Sequence, residues 1–86
     1  MSMPYQDLEK RLLEVLTEAS GLLPGESFEE ARGYIEHNEF ELALDTIAAT
    51  LANAGVRVDH DLYAKFVSLG NEMKLNESTW TDIRPM

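Results

Sequence analysis

The chain has 86 residues, 44% of them hydrophobic, no cysteine and a formal net charge of −9. That length supports one modest core in a single helical domain, residues 1–86, and the apolar content is too high for a disordered chain. The lack of cysteine excludes disulfides and sulfur-ligated zinc. The acidic balance disfavours nucleic-acid phosphates and anionic lipid as partners and favours a cationic protein surface.

The opening MSMPYQDLEKRLL has no apolar run of signal-peptide type. No stretch approaches the ~20 apolar residues of a membrane span, so no membrane partner is expected and the expected location is cytoplasmic. The first helix is expected from near Pro4 to Ala19, because Leu8, Leu12, Val15, Leu16 and Ala19 recur at helical spacing. Gly21 is then expected to give a left-handed stop, with Leu22 and Leu23 folding back and Pro24-Gly25 turning the chain.

Ser27 and Glu30 fit the S-x-x-E capping box, which predicts the start of a second helix with Phe28, Ala31 and Ile35 inside. It should stop near His37-Asn38. A third helix follows at once, with Phe40, Ala43, Leu44, Ile47, Ala48 and Leu51 inside and Gly55 at its end. So short a link forces an antiparallel hairpin. Asp59 is a good N-cap for a fourth helix with Leu62, Phe66, Leu69 and Met73 on its inner ridge. Gly70 inside that helix costs about 1 kcal/mol against alanine, for which close approach of a neighbouring helix is a sufficient reason. Asn76 should cap a last turn that docks Trp80 and Ile83. No alternation of strand type exceeds Val56-Arg57-Val58, so the fold expected is all-α, a compact bundle of about four helices with a central hairpin and a short C-terminal turn.

The sequence offers little for catalysis. There is no nucleophile elbow, no glycine-rich phosphate loop and no calcium loop, so an enzyme is not expected, nor a cofactor. His37 and Glu41 are four apart, but a helix break is expected between them. Asp59-His60-Asp61 points its side chains apart at a helix start, where acids cap, and no metal site is expected. Gly25-Glu26-Ser27-Phe28 invites comparison with acyl carrier proteins, which bear a prosthetic arm on a serine opening a helix. Their Asp-Ser-Leu is here Glu-Ser-Phe, the capping box already employs Ser27, and the following hairpin is too tight.

Charge is the stronger signal. From Glu26 to Asp45 there are seven acids, with Arg32 the only lysine or arginine. Glu29 and Glu36 share one face of the second helix, and Glu41 and Asp45 one face of the third. With Glu39, these five are the candidate partner-binding residues. Solubility alone accounts for a charged face, but it would intersperse lysines, and like charges four apart cost a helix a few tenths of a kcal/mol.

The order of features from Phe28 to Trp80 resembles the MafI family of immunity proteins, which are encoded beside secreted or contact-delivered polymorphic toxins of bacteria. The residues that carry the likeness are "YIEHNEFELALDTIAATLANAGV", then "DLYAKFVSLGNEMKL", then Trp80. The resemblance implies stoichiometric inhibition without catalysis: binding to a cognate toxin domain, often a nuclease with a basic cleft, that the acidic face could occupy. It covers nothing of the first helix. A small acidic adaptor is the alternative class.

Overall fold

The computed structural model describes residues 4–85 and the side chains of residues 6–85. Helix α1 is Pro4–Ala19, α2 Gly25–Glu36, α3 Phe40–Ala54, α4 His60–Glu72 and α5 Ser78–Thr81. Two-residue strands, β1 at Arg57–Val58 and β2 at Arg84–Pro85, complete the order. The fold is an all-α bundle with a central α2–α3 hairpin.

The helical stripes read from the sequence meet in one core. Leu12, Val15, Leu16 and Ala19 of α1 face Ala31 and Ile35 of α2, the six inner residues of α3, and Leu62, Phe66 and Leu69 of α4. Burying a leucine or phenylalanine stabilises by roughly 1.5–3 kcal/mol per side chain, so this cluster is the main force holding the bundle. The radius of gyration of 11.8 Å matches the ~12 Å expected of one packed domain of this length. No side-chain polar atom is buried without a partner among the described residues.

Two loops end as their residues dictate. Asn38 takes a left-handed φ of 60° and Gly55 one of 67°, closing α2 and α3. The Asp59 carboxylate accepts the Leu62 N–H at 2.8 Å and caps α4. Asn76 accepts the Ser78 N–H at 3.0 Å as the chain turns into α5, but the N-cap position expected of it falls to Glu77, which makes no side-chain cap bond.

Three further expectations need correction. The second helix begins at Gly25 with Pro24 as its N-cap and no side-chain cap bond. Ser27 is therefore inside the helix, and no capping box forms. The Phe28 N–H reaches back to the Pro24 carbonyl at 3.0 Å, so the backbone gains most of a turn that the box would have left outside. Gly21 is not left-handed. Residues Ser20–Leu22 form a 3-10 turn, after which Leu23 is buried while Leu22 stays 38% exposed. The close approach expected at Gly70 is made by a neighbouring helix, the short α5, through the indole of Trp80. A strand pair exists after all: β1 and β2 run parallel, with Arg57 opposite Arg84 and Val58 opposite Pro85. Docking of Trp80 and Ile83 brings the C-terminal segment against β1, an encounter that no local pattern could announce.

Candidate functional site

The α2–α3 hairpin concentrates the charge of the molecule. Residues 25–54 hold seven acids and one arginine, net −6, out of −9 for the whole chain. Glu29, Glu36, Glu39, Glu41 and Asp45 are all exposed. Glu36 ends α2, Glu39 is the N-cap residue of α3, and Glu41 lies in its first turn, so three carboxylates crowd the hairpin bend. Asp45 follows one turn along α3, and Glu29 lies about 10 Å back along α2, at ~1.5 Å per residue.

Their local roles differ. Glu29 pairs with Arg32 one turn away. Glu41 sits at the favourable positive end of the α3 dipole. Glu36 is at the unfavourable end of α2, where a negative charge costs typically 0.3–1 kcal/mol, and the last turn of that helix holds no base. Glu39 occupies an N-cap position without making a side-chain cap bond. Among the described residues, Glu36, Glu39, Glu41 and Asp45 form no ion pair. By contrast Arg11 bonds Asp7, Glu72 and Ser68, and Lys65 meets Glu18 at 2.7 Å. These contacts tie α1 antiparallel to α4, so the cleft between those helices has its cations already committed.

One apolar residue belongs with the acids. Leu42 is 47% exposed, the most exposed of the large hydrophobic residues among those described. With Phe40 and Met73 it lines a shallow hollow rimmed by Asn38, Glu39 and Glu41. Leu42 was not singled out from the sequence. Its signal was that it falls outside the 40-43-44-47-48-51 stripe, so the helix cannot bury it.

His37 Nδ1–H donates to the Gly33 carbonyl, 2.8 Å away, at the end of α2, whereas Glu41 belongs to α3. Asp59 is engaged as the α4 cap. Among the described residues no group of three His, Cys, Asp or Glu is placed to hold a metal ion, and no helix is long and apolar enough to cross a membrane. Ser27 is half-buried and its hydroxyl bonds no described residue. Ser27 is thus not occupied in a cap, while the three-residue bend between α2 and α3 still leaves no room for an acyl carrier's long loop. Comparisons with known families, with curated proteins and with solved structures find no match.

Proposed function

We propose that this chain is a cytoplasmic immunity protein that neutralises a cognate bacterial toxin domain by stoichiometric binding, with the hairpin bend as the contact surface. The observation that carries the reading is the set of exposed carboxylates at Glu36, Glu39, Glu41 and Asp45, without an ion pair among the described residues, with the exposed Leu42 beside Glu39 and Glu41. Carboxylates held apart from the chain's own cations attract a basic surface and speed encounter. The hollow that Leu42, Phe40 and Met73 line beside Glu39 and Glu41 supplies the desolvated contact that slows release. A nuclease with a basic substrate cleft is the toxin class this chemistry suits. The order of features from Phe28 to Trp80, which resembles MafI proteins, points the same way. The role is binding, not catalysis.

Two measurements test the proposal together. The protein is used to capture its partner from the native host, and the toxin encoded beside the gene is then assayed with and without it. Saturation at one copy per toxin, with loss of toxin activity, is the expected result. Capture of a non-toxin partner would move the protein to the adaptor class.

A further inference from the structure

The parallel register of β1 and β2 places Arg57 directly beside Arg84. Registered residues of neighbouring strands point to the same face, and adjacent strands are ~4.8 Å apart. The opposite face is fixed inward by Val58, 1% exposed, and by Ile83 at the edge of β2, 2% exposed. Both arginines are exposed, side by side in the register. Like charges directly opposite destabilise a strand pair. Neither guanidinium forms an ion pair or hydrogen bond with another described residue, in a chain of sixteen acids. The carboxylates nearest in sequence do not neutralise them: Asp59 accepts the Leu62 N–H, and Asp82 bonds neither arginine. Of the other bases, Arg11, Arg32 and Lys65 are all paired internally.

We propose that Arg57 and Arg84 form a clamp for a carboxylate of a partner protein, either an acidic side chain or a C-terminus. Each guanidinium presents a planar fork of N–H donors that matches a carboxylate's two oxygens, and two side by side can share one. A ligand seated there removes the repulsion between the two strands while the strands hold the donors in place. The surrounding net charge of −9 selects against polyanions, so a single carboxylate is a better occupant than a phosphorylated or nucleic-acid ligand. This site is independent of the acidic hairpin and of the toxin reading.

The test titrates the 15N-labelled full chain with acetate, with inorganic phosphate and with chloride at equal ionic strength. The expected result is saturable shifts in the amides of Arg57, Val58 and Arg84 with acetate and not with chloride. Arg57→Gln and Arg84→Gln should each weaken the acetate response about tenfold, the loss of a charge-assisted hydrogen bond, while Arg32→Gln leaves it unchanged. Circular dichroism checks that both variants keep the helical fold. An acetate response equal to that of chloride, or one that survives both substitutions, overturns the clamp. A response to phosphate alone overturns the carboxylate assignment.

Discussion

The indole of Trp80 occupies the space where residue 70 would carry a side chain. A Cβ built on Gly70 would lie 2.0 Å from Cζ3 and 2.5 Å from Cε3 of that ring, inside any tolerable contact. Gly70 and Trp80 are thus one packing unit, in which a helix-weakening glycine makes the seat for the C-terminal turn. Gly70→Ala gains up to about 1 kcal/mol of helix propensity but must expel or tilt a ring that is 6% exposed. Overpacking typically costs 1–3 kcal/mol, and the depth of this overlap puts the cost toward the upper end. The expected net is destabilisation by about 1–2 kcal/mol. Gly33 is the control: it lies within α2 with nothing within 4 Å of a built Cβ. Gly33→Ala should stabilise by about 0.4–1 kcal/mol. Thermal melts of the two variants should therefore move in opposite directions, and a rise for both would disprove the seat.

Trp80 gives the reciprocal prediction. As a buried residue it should emit at short wavelength in the native protein and shift to the red on unfolding. Trp80→Ala should cost about 3–5 kcal/mol and loosen the β1–β2 pair, since Ile83 and Arg84 follow the indole into place. Denaturant melts give the size of the loss. A variant within about 0.5 kcal/mol of the parent would show the C-terminal turn to be dispensable.

Most of the architecture was legible because it is periodic. The stripe from Phe40 to Leu51, the left-handed Asn38 and Gly55, and the Asp59 cap are local statements, and each holds in the structure. What was misread is non-local or a close competition. Ser27 could cap a helix or lie inside one, and backbone bonds begun at Pro24 decided it. The Arg57–Arg84 register joins segments far apart in sequence through the docking of Trp80 and Ile83. The acidic hairpin was legible as composition, but the exposure of Leu42 beside Glu39 and Glu41 follows only from which face of α3 the bundle covers.

The Lys65–Glu18 pair predicts a small alkaline effect. The hydrogen bond that Lys65 Nζ donates to Glu18, opposed by desolvation and helped by the charges of Glu18, Glu14 and Asp61, raises the Lys65 pKa above its ordinary 10.5. A raised folded pKa means the stabilisation is complete below the unfolded value and is lost as pH rises through the folded one. The parent should lose this contribution only above pH 10.5, whereas Lys65→Gln lacks it throughout. The melting difference between the two should shrink in that window. The pair is exposed, so the change is small. A difference that widens there would contradict the sign.

Leu42 separates folding from binding. It is half in water already, so Leu42→Asp should alter stability by no more than about 0.5 kcal/mol, the ordinary range for a surface change. If the hollow beside Glu39 and Glu41 is an anchor point, the same variant should weaken capture of the toxin by about 1–2 kcal/mol or more, mainly through faster release. A fold-intact variant that binds as the parent does would move the contact away from the hairpin bend.

The carboxylates make the last prediction, in two parts that answer different questions. Replacing Glu36, Glu39, Glu41 and Asp45 by their amides removes four charges that have no described ion-pair partner and that repel one another across the bend. Glu36 also sits at the wrong end of a helix dipole. The isolated protein should therefore melt at the same temperature or slightly higher. Added salt, which screens exposed charges beyond ~8–10 Å, should raise the parent's melting temperature more than the variant's. Binding should respond the opposite way. If the partner is a toxin with a basic surface, as proposed, association with it should slow, and the salt dependence of the parent's association rate should flatten in the variant, because long-range attraction sets that rate. A matched variant at Glu9, Glu14 and Glu18 of α1 removes comparable charge from another surface and serves as the reference. If the hairpin variant associates like the parent while the α1 variant slows, the acids of the bend only keep the protein dissolved, and the partner meets α1.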